Sequence, residues 1–319
     1  RSIGPMVAQE SMRRLRDMLF SRTQEANQMH TVLAGRASVS LSRIRRDHPE
    51  ILAAAKPILV AAPGTLAALT EPGVLADVAI LDACAHIPAI ELLSIIGRVQ
   101  QVVVIAHCAT VTSESVKQLI DTLPHIEVDA APSRRAPRLS AFLESEGYGP
   151  VRYDVATEPA AGEVRFHRVE ASGVPVMSSG LVESSQPEID EVVRLITQRA
   201  AGFAVVPSSY RLVVVMLTDA FRTRLGAELK SLAGKSKAMG RFLRHVRLVS
   251  LRDVAGGRAT DVILSMCYAK TTHGRLLQQF GPLESTGGRG LLLDALALAD
   301  HSLDICLLYT SPSPRDGAT

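Results

Sequence analysis

Tryptophan is absent from the 319 residues, and aromatic side chains make up only 4% of them. Cores must therefore be filled by Ala, Val, Leu and Ile, and few rings are available as stacking platforms for nucleobases. The four cysteines form no Cys-x-x-Cys pair. That spacing excludes a zinc ribbon and a disulfide-stapled scaffold, and points to a reducing compartment, the cytoplasm. Long apolar runs are missing too. The best candidate, residues 51–69, is broken by Lys56, Pro57 and Pro63, well short of the roughly 18 uninterrupted residues a membrane span needs. Two motifs are also lacking. A GxxxxGK[ST] phosphate cradle occurs nowhere, since Gly234-Lys235-Ser236 has no upstream Gly and no preceding strand. Ser178-Ser179-Gly180 lacks the GxSxG elbow, and no triad can be placed around it.

What is present describes a folded globular chain. Apolar residues are 47% and charged residues 21%, a balance that excludes a disordered or collagen-like polymer. The length suggests two domains, at roughly 100–200 residues each. The net charge of +3 permits a polyanionic partner without demanding one. The first residue is Arg, not Met, so an N-terminus upstream is expected. Residues 307–319 break from the Ala/Val/Arg-rich style of the rest. They read as adapter or vector read-through and are left out of the fold.

Residues 1–50 are polar and Arg-rich, with Met12, Leu15 and Leu19 at helical spacing. They predict one or two amphipathic helices, interrupted near His48-Pro49. Short β-branched runs then alternate with helical stretches. Strands are expected at 57–62, 78–81 and 102–105, with a short helix at 64–69. The runs are continuously apolar, the pattern of parallel strands covered on both faces. A Pro/Arg-rich stretch at 130–138 reads as a linker or surface loop. The alternation resumes with strands at 163–169, 203–206, 246–251, 261–266 and 303–306. Helices are expected at 186–200, 210–225 and 290–299. Such repetition in two blocks predicts an α/β fold with two parallel-sheet domains.

Four segments carry a resemblance. Val78-Ala79-Ile80-Leu81-Asp82-Ala83 stands as a strand ending in Asp-Glu, and Val102-Val103-Val104-Ile105-Ala106-His107 as a strand entering Gly-Asp-x-x-Gln. Residues 249–265 stand as Gln-Gly-x-Glu-x-Asp before an apolar strand. Phe280-Gly281-Pro282-Leu283 leads into a helix over 291–299, where Thr-Arg-Ala is expected. In this order they resemble the motor core of superfamily 1 DNA and RNA helicases, in the branch of the RNA-surveillance and Okazaki-fragment enzymes. The resemblance implies two RecA-like P-loop NTPase domains with parallel sheets, preceded by a helical segment. Residues 1–50 would be helices of the first motor domain, 51–130 its C-terminal part, 131–160 a linker and 161–306 the second domain. It further implies ATP and Mg²⁺ as cofactors, Asp82 as the metal-linked catalytic carboxylate, Gly257 and Asp261 as nucleotide-contacting residues, and single-stranded DNA or RNA as partner.

NTP hydrolysis needs a cradle, a Mg²⁺-holding Asp, a group that orients water and an Arg for transition-state charge. Here Ala83 replaces the water-activating Glu, and Ala106 through Thr110 replace both polar sensors. Gly256 and Ala259 replace Gln and Glu, and Leu298 stands where the Arg belongs. An arginine finger is worth about 10³–10⁵ in rate, and Leu supplies neither its charge nor its fork. Weak or no turnover is the expectation. The bland readings stand beside this one. Asp82 would equally cap the following helix, and Asp261 brace its loop. His107-Cys108, Cys84 and His86 lack a second Cys/His cluster at ligand spacing. Gly287-Gly288-Arg289-Gly290 fits a flexible turn as well as an anion nest.

Basic clusters at Arg13, Arg14 and Arg16, at Arg43, Arg45 and Arg46, at Arg134, Arg135 and Arg138, and at Arg241, Arg244 and Arg247 after Lys235 and Lys237 suit phosphate contacts. A solvated Arg-rich surface accounts for them equally. The sequence thus predicts a fragment of an ATP-dependent helicase-like protein. The alternatives are a non-catalytic helicase-derived scaffold for nucleic acid or protein, and an unrelated α/β enzyme.

Overall fold

The computed structural model describes residues 3–35, 40–70, 72–107, 110–111, 113–128, 135–148, 163–170, 172–173, 186–254, 256–268, 270–273, 280–285 and 287–308. It is a mixed α/β structure with parallel sheets. Two compact units divide it: one comprises described residues of Arg1–Ile80 and Pro88–Val103, the other those of Leu81–Ile87 and Val104–Thr319.

The first unit opens with four helices, α1 (Ile3–Ser21), α2 (Thr23–Ala34), α3 (Leu41–Asp47) and α4 (Pro49–Ala55). The break expected near His48-Pro49 lies between α3 and α4, with Pro49 in the first turn of α4, where its missing N–H costs nothing. Helix α5 (Pro63–Leu69), strand β1 (Ala76–Leu81), helix α6 (Ala89–Ile96) and strand β2 (Val99–Val104) follow. The N–H of Leu75 donates to the Arg98 carbonyl ahead of the strands, and that of Ile105 to the Leu81 carbonyl beyond them. This is the order of a parallel pair. The core here is thin. α1, α2 and α3 bury no residue, and Ile51, Leu66, Leu92 and Ile95 supply most of the apolar interior. Residues 57–62, expected as a strand, are irregular, with Ile58 79% and Val60 89% exposed. Proline brackets the run on both sides and no described strand pairs with it.

The second unit is built on a five-stranded sheet. Helices α7 (Glu114–Thr122) and α8 (Pro137–Ser145) precede β3 (Val164–Val169), β4 (Ser172–Gly173), α9 (Gln186–Ala201), β5 (Leu212–Met216), α10 (Asp219–Lys235), α11 (Lys237–Phe242) and β6 (Val246–Ser250). Then come β7 (Ala259–Ser265), β8 (Lys270–Thr271), α12 (Gly288–Ala297) and β9 (Ala299–Leu308). The order is β3-β9-β7-β5-β6, and every pairing is parallel. β4 and β8 form a separate short parallel pair. The chain moves outward from β5 to β6 but back past β5 to β7 and on to β9. Right-handed crossovers in opposite directions put α10 and α12 on opposite faces. All five residues of β5 are buried, as a doubly covered strand requires.

Two sequence expectations change here. Residues 210–225, expected as one helix, are a strand followed by a helix. Leu212, Val215 and Met216 mimic a helical stripe with Phe221 and Leu225, but three consecutive valines favour the pleated conformation. Thr218 then caps α10, its side chain accepting from the Phe221 N–H. Residues 203–206, expected as a strand, are irregular. Pro207 cannot donate to a ladder, and Phe203 instead packs its ring on Tyr210 at 4.7 Å and near Phe242 at 6.2 Å between centroids.

The glycine run before α12 is explained by packing. A Cβ at Gly288 would collide with the Leu283 carbonyl, whereas one at Gly234 in α10 meets nothing within 4 Å. Gly288→Ala is therefore expected to destabilise by about 1–3 kcal/mol. Gly234→Ala should be neutral or stabilise by up to about 1 kcal/mol. Thermal melts of the two variants check both signs.

Candidate functional site

Three of the resembling segments meet in the second unit. Asp82, directly after β1, is exposed, while Ala83 turns inward with a φ of 54°. Gly256 has a φ of 68°, and a Cβ added to it would lie 2.8 Å from the Ala83 Cβ. A Cβ on neighbouring Gly257 would lie 2.6 Å from Leu298 Cδ2, and Leu298 is buried. The structure thus brings Ala83, Gly256, Gly257 and Leu298 into two tight contacts that only glycine permits. Asp82 is the one charged group on the loop beside them, and no three-carboxylate or His/Cys cluster able to hold a metal occurs among the described residues. A lone exposed carboxylate supplies at most one Mg²⁺ ligand, and the sequence holds no phosphate cradle beside it to complete a Mg²⁺–nucleotide site.

A polar clamp fixes the same loop. His86 Nε2 lies 2.7 Å from Asp294 Oδ2 on α12, and the Tyr148 hydroxyl donates to Asp294 Oδ1 at 3.0 Å. The His107 ring stacks on Tyr148 at 3.7 Å. Burial pushes the Tyr148 hydroxyl up and the His107 imidazole down, so both are neutral near pH 7. Arg135 donates to the carbonyls of Ala297 and Ala299, at the end of the same helix. It is half-buried and braces the backbone, so it is not a loop cation available to phosphate. Cys84 is fully buried, and burial, followed by the charge of Asp82, raises its thiol. A thiolate nucleophile is disfavoured there.

Asp261 stands near the N-terminal end of β7, away from the strand ends that face ligands in open α/β sheets. Only 6% of it is exposed. It pairs with Arg199 Nη1 at 2.5 Å and accepts from Ser302 at 2.6 Å and Tyr210 at 2.9 Å. The other arm of Arg199 pairs with Asp304 on β9, which also meets His167 at 2.8 Å. One guanidinium from α9 thereby ties β7 to β9.

The C-terminal ends of β5 and β7 flank the point where the crossovers diverge, the usual ligand crevice of this architecture. Here Glu188, in the first turn of α9 and 2% exposed, fills it. Its Oε1 accepts from the Ser265 hydroxyl and, at 3.0 Å, from the Cys267 N–H. Cys267 has a φ of 55° and is buried, and burial with the Glu188 charge pushes its thiol up to about 12. No motif pointed to Glu188; only its place in an N-terminal turn hinted at it. Cys108, Ser178, Ser179 and Arg134 lie outside the described residues.

Burial alone would raise the Asp261 carboxyl, but the Ser302 hydrogen bond and the Arg199 charge outweigh it and hold the group below its ordinary 3.8. The resulting stability is present above that value and is lost as the pH falls through the lower folded-state value. Arg199→Ala removes the shared guanidinium from two buried carboxylates, leaving Asp304 to Arg165 and His167 and Asp261 to His301, Ser302 and Tyr210, and should cost about 3 kcal/mol near pH 7. The deficit should shrink as pH drops below 3.8. Urea titrations at pH 7 and pH 3 check this; an equal deficit at both values would contradict the assignment.

No protein-family model matches the chain, and no curated protein matches it in sequence. Among solved structures it is similar to the C-terminal domain of a possible DNA helicase from Lactobacillus plantarum WCFS1. The identity is 14% and the TM-score 0.33, over 59% of this chain and 93% of that one. A likeness of that size says nothing about what this chain binds or does.

Proposed function

We propose that the chain is part of a superfamily 1 helicase-like protein that has lost turnover and binds single-stranded DNA or RNA. On this reading residues 51–130 derive from the end of a first RecA-like domain and 161–306 from the second. The observation that supports it is the meeting of Ala83 with Gly256 and of Gly257 with Leu298. These are the positions at which the resemblance puts the water-activating Glu, the Gln-Gly pair and the charge-stabilising Arg. Segments far apart in sequence converge as the resemblance implies, and the groups that would do the chemistry are replaced by apolar contact. A protein-binding scaffold is the second reading. Val78 and Ile80 on β1 and Ile90 and Leu93 on α6 favour it, being 45–75% exposed.

Turnover separates a motor from either reading. Phosphate release from Mg²⁺–ATP, with and without a single-stranded oligonucleotide, is expected to stay at the no-protein level. Hydrolysis above that level, removed by Asp82→Ala, would mean that the catalytic groups lie elsewhere than assigned.

A further inference from the structure

We infer that the exposed edge of the five-stranded sheet, at β6 and the turns on either side of it, is a track for the phosphate backbone of a single strand; this rests on the nucleic-acid reading above. Residues 231–252 contain Lys235, Lys237, Arg241, Arg244, Arg247 and Arg252 and no Asp or Glu. All six side chains are exposed, and none makes an ion pair with a described residue. Several surface arginines elsewhere are paired, as in Arg13 with Glu10, Arg194 with Glu191 and Arg258 with Asp300. The segment thus carries +6 in a chain whose net charge is +3, so the remainder is net negative by 3.

The fold sets these cations in a row. α10 starts at the C-terminal end of β5 and returns to the N-terminal end of the sheet, where β6 begins. Lys235, Lys237, Arg241 and Arg244 lie on that return, Arg247 lies on β6, and Arg252 lies two residues beyond its end, next to Asp253. Five residues of strand span roughly 17 Å, about the reach of three to five nucleotides at the per-strand rise of DNA. Lys237 and Arg241 are four apart on α11, so they share a face with Cβ atoms about 6 Å apart and repel each other. A polyanion relieves that repulsion. The frame is rigid, because Leu229, Phe242 and Val249 are buried beneath it. Phe242 is the one aromatic residue in the segment, and its burial leaves no ring for stacking. Recognition is accordingly of phosphate, tolerant of base sequence. A single charge suffices to guard an edge strand against self-pairing; six along its length and beyond both ends exceed that need.

The test is fluorescence anisotropy with labelled oligothymidylate of 20 nucleotides at 50 and 200 mM salt. The variants are Lys237→Ala/Arg241→Ala/Arg244→Ala and a control with the same charge change at ion-paired sites, Arg194→Ala/Arg222→Ala/Arg258→Ala. The substituted residues are exposed except Arg222, which is half-buried, and circular dichroism verifies folding. Each engaged cation adds about 0.7 to the log–log salt slope on single strands. The edge variant should lose about 2 from that slope, so the fourfold rise in salt weakens the parent roughly 20-fold more than the variant. The control should keep the parent's slope. Equal losses in both variants, or none in either, would overturn the edge assignment while leaving nucleic-acid binding standing. No binding by the parent at 50 mM salt would overturn the functional reading itself. Equally tight capture of polyglutamate would assign the edge to an acidic peptide instead.

Discussion

A parallel sheet covered on both faces leaves only its two ends and its edges for polar work, and this constraint shapes the second unit. β5 is buried at every residue, and Val262 to Leu264 beside it are buried as well. Charge therefore sits mostly at the margins. Near the N-terminal end of β7 Arg199 meets Asp261, and its other arm reaches Asp304, midway along β9 opposite Ile263. At the C-terminal end Glu188 receives Ser265 and the Cys267 backbone. The side edge at β6 holds uncompensated cations. Each margin is put to a different use, and the C-terminal crevice, where such folds ordinarily take a ligand, is occupied by the protein's own carboxylate.

The strands at 78–81, 102–105 and 261–266 were legible because continuous apolar, largely β-branched runs have few alternatives, and those at 163–169 and 246–251 because valine recurs in them beside charged residues. β5 was not, since its apolar residues fall at helical spacing with those of α10; only the valine triplet and the Thr218 cap separate the two conformations. The candidate site was legible in part. The order of the segments points to Ala83, Gly256–Gly257 and Leu298, but periodicity cannot say that glycine is needed there to admit two neighbouring side chains. Asp261 is visible as a match to a motif, yet its role depends on Arg199 more than sixty residues away in sequence, and no local pattern reports that pairing. Glu188 carries no motif at all. Its buried position follows from the crossover geometry.

On the proposed reading, what would set this chain apart from an NTP-driven motor is how the space beside Asp82 is filled. A catalytic centre keeps charged groups poised around a cavity. Here small residues let backbone and a leucine close on each other, and His86, Asp294 and Tyr148 hold the loop by hydrogen bonds among themselves. Such an arrangement stabilises the relation between the loop and α12. On that reading function falls to surfaces, and the sheet edge at β6 carries cations without an ion pair to any described residue.

The central claim is that these distant segments touch, and a double-mutant cycle on Gly257→Ala and Leu298→Ala measures that contact directly. Each single change should destabilise, the first by crowding Leu298 and the second by opening a cavity. Together they should recover part of the loss, since the added methyl enters the space that the leucine vacates. A favourable coupling on the order of 0.5–3 kcal/mol in urea unfolding is the predicted result. Strict additivity would show that Gly257 and Leu298 are not in contact, and the account of the site would fail with it.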